Sequence, residues 1–536
     1  MAPCILFEDE HLLVVNKPAG WNTHAPDLYA GEGLYEWLRH REPRWADLAI
    51  LHRLDKGTSG VIVFGKTPVA NRSLGAQFTA HTIQKSYVLL TDRTVPPGRT
   101  RVVSALVRAG ERYLSRPLHA GADRAETVFE SLGAADGRLL VAAAPVTGRT
   151  HQIRVHAAEE GFPIVGDLLY GGTPAPRIFL HARELRLEHP VTGRETTFTA
   201  PPNFDADPRL ALRAAFLDAG AVGPAGAGAP PATNACRLVH GAADARPHWY
   251  VERLGDYLLS LGGEPLGPRQ KADLSALLAR TGARGAYHKM LHRQPGRAGP
   301  QLACPELVLG EAAPETFEIR ENGVRYTLSF REGYSVGLFL DQRDNRRRLL
   351  TGHAAAEFPL PRGGEVLNAF AYTCGFSVCA ALAGARVTSV DLSRKYLAWG
   401  ARNFSLNGLD PAAHEFLYGD AFDWLRRLAK KGRRYGAIVL DPPTFSHSAE
   451  HGPFQAEKDY GALAGAALPL LAPDGVLLAS TNAARLEPAR FLAALDTAVT
   501  AAGRRVIRRH YVPQPPDFPV SRDEPAYLKT VWLQIA

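Results

Sequence analysis

Residues 365–393 read EVLNAFAYTCGFSVCAALAGARVTSVDLS, and this stretch decides the fold of the chain's second half. EVLNAF (365–370) is a short apolar run that stops at a turn of small residues. A helical pattern follows over 376–384, and RVTSVD (386–391) is a second apolar run. Short apolar runs bounded by turn residues read as buried strands, and a helix between two of them makes them parallel. The rhythm continues outward. Helical patterns over 393–406 and 456–471 alternate with the strand-like runs GAIVLD (436–441) and GVLLAS (475–480). This alternation predicts a doubly wound α/β, Rossmann-like domain over 321–536, with its ligand at the carboxyl ends of the strands.

The turn after EVLNAF carries Gly375 with the small Thr373 and Cys374, not the full GxGxxG pattern. A dinucleotide's pyrophosphate needs those glycines, whereas S-adenosylmethionine has no phosphate and fewer suffice. Asp391 ends the next strand, where an acid takes ribose hydroxyls. Taken singly, these two elements also fit an ordinary strand-to-helix turn and a helix N-cap; in register they favour a cofactor site. GDAF (419–422) offers Asp420 to an adenine amino group. VLDPPTF (439–445) ends a strand in Asp441, Pro442 and Pro443, and a double proline cannot continue a ladder. It makes a rigid loop that aims a carboxylate and carbonyls inward.

Towards the N-terminus the texture changes. Residues 233–320 hold strand-like runs (HWYVERLGDYLLSL, 248–261) and a helix near 268–281, which suggests a small α+β module. Before it, AGAVGPAGAGAPPA (219–232) has almost no side chains that could anchor it, so 206–232 is read as a linker. Residues 1–205 are rich in short strands such as ILFEDEHLLVVN (5–16), VIVFGK (61–66), KSYVLLT (85–91), LLVAAAP (139–145) and TTFTAP (196–201), with one clear helix at 68–82. An α+β domain on mainly antiparallel sheet follows, making the chain multidomain.

A length of 536 residues exceeds one hydrophobic core, and 46% hydrophobic with 22% charged residues fits a globular protein. The net charge of +8 leans towards polyanionic partners, although arginines coating a soluble surface read the same way. Cys4, Cys236, Cys304, Cys374 and Cys379 form no CxxC pair, so neither a disulfide framework nor a metal site is expected. The start MAPCILFEDEHLL has acids where a signal peptide needs bases, and no stretch approaches the roughly 18 apolar residues of a membrane span. The expectation is a cytoplasmic protein with no membrane partner; the oligomeric state is left open.

Three segments in the first domain carry chemistry: HRLDKGTSG (52–60), QKSYV (84–88) and GRTHQIRVH (148–156), the last running into GFPIVGDLLYGG (161–172). HRLDKGTSG alone is also an ordinary turn. Together and in this order, from VVNKPAG (14–20) to about residue 202, they resemble the RluA family of pseudouridine synthases. That resemblance implies a cofactor-free isomerisation of uridine. Asp55 would be the nucleophile of a covalent intermediate. Arg154 would pair with Asp55 and keep it ionised. Tyr87 would stack on the base and assist proton removal. The nucleotide must be flipped out of its stem, and Arg53 would fill the vacated space, with Arg149 and His151 also against the RNA. No RNA-binding module is expected ahead of VVNKPAG, which leaves the target RNA open.

The second half resembles the RlmI and RlmK-like large-subunit ribosomal RNA methyltransferases. The resemblance rests on GLFLDQRDNRR (337–347), SRKYLAWGARNFSLNGL (393–409), the DPP loop, EPAYLKTVWLQI (524–535) and, ahead of them, CRLVHGAADARPHWYVERLGDYLL (236–259). It implies S-adenosylmethionine as cofactor, held by Asn368 and the turn residues Tyr372, Thr373 and Gly375, by Asp391 at the ribose and by Asp420 at the adenine. Asp341 and Arg343 would line the site. Asp441 would act in catalysis, and Pro442, Pro443 and Phe445 would meet the substrate. Two departures stand out: Cys374 replaces a usual Gly or Ser, and no PUA-type RNA-binding domain precedes this half. Methylation at pyrimidine C5 needs a cysteine nucleophile, and neither DPPTFS (441–446) nor ASTNAA (479–484) contains one. Guanine N7 has a lone pair and needs only positioning, so it is the favoured target. An exocyclic amine, cytosine C5, transfer RNA in place of ribosomal RNA, and a half decayed into an RNA-binding platform stay open as alternatives.

Overall fold

The computed structural model describes residues 4–26, 33–119, 121, 123–135, 137–217, 232–291, 304–332, 335–448, 452–521 and 523–536. The chain divides into two compact units, one drawn almost wholly from residues before 225 and the other from those after it.

The first unit is built on an eleven-stranded sheet. Its middle runs Leu12–Lys17, Ser59–Gly65, Leu180–Glu188, Gln84–Thr91, Arg138–Pro145. Neighbours pair antiparallel except Ser59–Gly65 with Leu180–Glu188, which are parallel. SGVIVFG is buried along its whole length, as a central strand covered on both faces must be. Gly60 sits at φ +120°, and a Cβ there would lie 2.1 Å from the Ala182 carbonyl oxygen, so only glycine permits that parallel approach. The expected helix at 68–82 spans Pro68–Thr79, with Thr67 capping it by accepting from the Ala70 amide. One correction concerns the linker. Residues 208–217, placed within it on composition, form a helix whose Phe216 ring lies 4.0 Å from Trp21 and 4.8 Å from Trp37. Its apolar positions bury one face, which composition alone does not register. The small-residue stretch 219–231 lies outside the described residues.

The second unit opens with a five-stranded sheet, Ala235–His240, Trp249–Leu254, Tyr257–Gly262, Gly285–Met290 and Glu306–Gly310. The helix Pro268–Thr281 joins its one parallel pair and ends at Gly282, φ +66°. The expected boundary at 320/321 falls inside a hairpin, Phe317–Glu321 with Val324–Leu328. Beyond it lies a seven-stranded sheet in the order Glu415–Tyr418, Arg386–Asp391, Glu365–Ala369, Tyr435–Leu440, Leu471–Thr481, Lys529–Ile535, Val506–Val512. The first five are parallel; Lys529–Ile535 is antiparallel to both of its neighbours. Val366, Val387 and Ala437 belong to one core, while Leu367, Val390 and Ile438 belong to another on the opposite face. That is the doubly wound arrangement expected. The helix expected over 456–471 stops at Ala467, because Pro469 lacks an amide proton, and Leu468–Leu470 make a single tight turn into the next strand.

Candidate active sites

In the first unit, Asp55, Tyr87, Arg149, His151 and Arg154 line one cavity of about 810 Å³. Asp55 sits on the turn before Ser59–Gly65, Tyr87 on the neighbouring strand Gln84–Thr91, and Arg154 on the helix Gln152–Glu159. Arg154 Nη1 donates to Asp55 Oδ2 at 3.4 Å. Its stronger partner is one that sequence reasoning left unassigned. Arg154 donates through Nε (2.6 Å) and Nη2 (2.9 Å) to both oxygens of Asp167, a bidentate pair buried in the unit. Burial opposes the charge on Arg154, but Asp167 and Asp55 outweigh it and hold the guanidinium above its ordinary pKa. Tyr170, also unassigned, places its ring 5.1 Å from that guanidinium, and its hydroxyl bonds His151 Nδ1 at 2.8 Å. Both residues lie in the GFPIVGDLLYGG run, where an acid and a tyrosine among glycines read as loop.

His151 takes the left-handed conformation at φ 58°, which brings its Nε2 to 3.9 Å from Asp55 Oδ2. Burial, opposed by Asp55, lowers its pKa, so the ring is neutral at neutral pH. Burial first, and then the Asp55 charge, hold the Tyr87 phenol far above its usual range. It is an apolar face against Asp55 that keeps its proton. Arg53 is exposed, with Nη1 3.3 Å from His24 Nε2, and Arg149 pairs at the rim with Asp123 at 3.0 Å.

In the second unit, the turn after Glu365–Ala369 is held in an unusual backbone. Phe370, Tyr372 and Cys374 all have positive φ, at 61°, 49° and 63°. Such residues cost on the order of 1–3 kcal/mol each and persist only where surroundings impose them. Here Thr373 Oγ1 donates to the Gly337 carbonyl at 2.5 Å, Asn403 donates to the Thr373 carbonyl at 3.0 Å, and Asp391 Oδ2 accepts from the Tyr372 amide at 2.8 Å. Asn368 is buried at the strand's end and donates to Ser377 Oγ at 2.9 Å. Asp420 caps the helix Ala421–Lys430 by accepting from the Phe422 and Asp423 amides.

Asp441 is half-buried at the tip of Tyr435–Leu440. Burial, aided by the nearby Asp341 charge, pushes its pKa up to about 7. Gln342 Nε2 donates to Asp441 Oδ1 at 3.1 Å and to Ser480 Oγ at 2.7 Å. Asp341 accepts from the Tyr527 hydroxyl at 2.9 Å. Pro442 is buried behind Asp441, while Phe445 is 57% exposed at the start of a hairpin.

One expectation needs correcting. Arg343 does not line the site: its guanidinium is buried and forms a bidentate pair with Asp517, so it braces the lead-in helix. Packing also requires glycine at 375 within that turn, since a Cβ there would meet Leu338 Cδ1 at 2.9 Å and Arg346 Cδ at 3.3 Å. The unusual Cys374 is likewise accommodated by packing. A Cβ on Gly400 would lie 2.3 Å from its sulfur.

The model of the S-adenosylmethionine-dependent methyltransferase family matches residues 269–534, and that of the RNA pseudouridylate synthases matches 11–159. A ribosomal RNA large subunit methyltransferase of Deinococcus radiodurans is 33% identical over 308 residues, covering 56% of this chain and 73% of that protein. The chain belongs to the S-adenosylmethionine-dependent methyltransferases, with an RNA pseudouridylate synthase domain in front. For the synthase half, the ribosomal large subunit pseudouridine synthase C of Yersinia pestis is 40% identical over 215 residues, 38% of this chain and 66% of the relative. For the methyltransferase half, the ribosomal RNA large subunit methyltransferase I of Aeromonas salmonicida is 36% identical over 228 residues, 42% of this chain and 55% of the relative. The chain therefore spans just under two thirds of the Yersinia protein and about half of the Aeromonas one.

The residues of the methyltransferase half fit its cofactor. Each Asp391 oxygen accepts one backbone amide, from Tyr372 and from Ser393 at 2.8 Å, which leaves each a further acceptor position for a ribose hydroxyl. Leu392, 41% exposed beside Asp391, offers an apolar face for a flat ring. The synthase half has the carboxylate, the half-buried phenol and the guanidinium of its class in one cavity, and among the described residues no cluster of metal-binding side chains occurs. No helix among the described residues is long and apolar enough to cross a membrane.

Proposed function

We propose that this chain modifies large-subunit ribosomal RNA in the cytoplasm at two sites, isomerising a uridine and methylating guanine N7. The observation that carries the first activity is the placement of Asp55, with Arg154 at 3.4 Å and the Tyr87 ring in the same cavity. Asp55 attacks the flipped uridine, and Arg154, fixed by Asp167, holds the carboxylate ionised and oriented. Tyr87 stacks on the detached base, and Arg53, Arg149 and His151 meet the surrounding RNA. The domain limits are those at which the two activities separate, near residue 225.

For the second activity, the support lies in where thiols are absent. No cysteine occurs in 441–446 or 479–484. Burial holds Cys374 and Cys379 up to about 12, so neither supplies a thiolate for addition to a pyrimidine. S-adenosylmethionine, when bound, supplies an electrophilic methyl group. Asp391, Asp420, Asp341 and the turn 372–375 with Asn368 hold it, Asp441 faces the target, and Pro442, Pro443 and Phe445 shape the base's entry. Guanine N7 then needs only alignment. Mass-spectrometric mapping of ribosomal and transfer RNA from cells with and without the gene tests the whole reading. Loss of one pseudouridine and one N7-methylguanine from large-subunit RNA is the expected result; losses confined to transfer RNA would overturn it.

A further inference from the structure

The carboxyl of Asp441 is held by a chain of hydrogen bonds whose direction can be read from one end. Trp532 Nε1 can only donate, and it donates to Asn345 Oδ1 at 3.0 Å. That fixes the Asn345 amide, whose Nδ2 donates to Gln342 Oε1 at 2.8 Å. The Gln342 amide is fixed in turn, with its Nε2 facing Asp441 Oδ1 and Ser480 Oγ. Trp532, Asn345, Gln342 and Ser480 are all buried, so no solvent exchange relaxes the order.

We infer that Gln342 is a positioning residue that fixes Asp441 Oδ1 as an acceptor, so that the carboxyl's proton stays on Oδ2 and donates a hydrogen bond to O6 of a guanine target. The inference rests on the guanine N7 reading above. The N7/O6 edge of guanine presents acceptors only, so a neutral carboxyl complements it, whereas an amine target would need an ionised one. The groups facing Asp441 act in both senses. Burial and the Asp341 carboxylate favour the neutral form, and the Ser480 hydroxyl, Arg346 and the Gln342 amide favour the charged one. The Tyr460 phenol also lies near, with its pKa held far above the ordinary value and its proton retained. With the carboxyl raised to about 7, the donor form is present below that pH and lost above it.

The test is the pH dependence of methyl transfer by the full chain, with Asn345→Asp as the variant. In the wild type, kcat/KM should fall as pH rises through about 7. In Asn345→Asp the new carboxylate takes the Trp532 proton on one oxygen and faces Gln342 with the other. The Gln342 amide must then turn and present Oε1 to Asp441, which moves the carboxyl's proton to Oδ1. The rate should drop about ten- to a hundredfold at every pH, with S-adenosylmethionine affinity and pseudouridine formation unchanged. A negative charge that merely raised the Asp441 pKa would instead extend activity to higher pH, and that outcome overturns the proposal. If the variant does not fold, the wild type decides: a rate that rises through neutral pH overturns the proposal. A neutral-carboxyl infrared band present in the wild type and absent in Asp441→Asn supports it. Product mapping separates the two claims, because a methyl group found elsewhere than N7 sinks the target reading even where Asn345→Asp behaves as expected.

Discussion

Arg154 shows how far single residues can be read in advance. Its nearness to Asp55 and Tyr87 in one cavity was legible through the resemblance that the three motifs carry together, not from any one residue. Asp167 was not, since an acid inside a glycine-bracketed loop is also what a turn prefers. Nothing in the chain order says that the loop folds back under the helix Gln152–Glu159. The two acids should therefore respond differently to change. Asp55→Asn keeps the shape and removes the nucleophile, so pseudouridine formation should vanish while RNA binding and methylation persist; turnover near the wild-type rate would refute the assignment. Asp167→Ala leaves a buried guanidinium whose one remaining carboxylate among the described residues is Asp55, at the longer distance. It should destabilise the first unit by about 3–5 kcal/mol, read as a lowered denaturation midpoint, and reduce pseudouridine formation as well. Replacing all five cysteines with alanine or serine should leave methylation working. Loss of activity traced to one thiol, with methylated cytosine as product, would reverse the choice of target atom.

Among elements, the parallel strands and their helices were legible from apolar runs and 3.6-residue periodicity, because both record burial directly. Packing between elements left weaker marks. The helix Pro208–Leu217 was hidden beside a glycine- and alanine-rich stretch, and the hairpin at 317–328 obscured where one module gives way to the next. Gly400 is a clearer instance: it reads as a helix-weakening residue in SRKYLAWGARNF, yet it makes room for the Cys374 sulfur. Gly400→Ala should cost about 1–3 kcal/mol through that overlap and weaken S-adenosylmethionine binding, since the Cys374 turn would shift. Adding Cys374→Gly should restore both, because it removes the sulfur and suits a left-handed position. A double variant as weak as the single one would show that the clash is not the cause.

For the whole molecule, two units with separate cores should work apart. A chain cut near residue 225 should give an N-terminal piece that forms pseudouridine without any cofactor, and a C-terminal piece whose melting temperature rises with S-adenosylmethionine. An insoluble N-terminal piece would mean the halves depend on one another. The order of the seven-stranded sheet could not be foreseen from alternation alone, because the strand Lys529–Ile535 enters it antiparallel, between two strands that precede it in the chain. That placement bears on how the protein is made. During translation the inner strand is the last of its sheet to leave the ribosome, and it also carries Trp532. A message that breaks off before codon 529 therefore encodes every strand of the synthase unit but a methyltransferase sheet with a gap inside it. The strands of the first unit are thus all made before the second sheet can close around Lys529–Ile535.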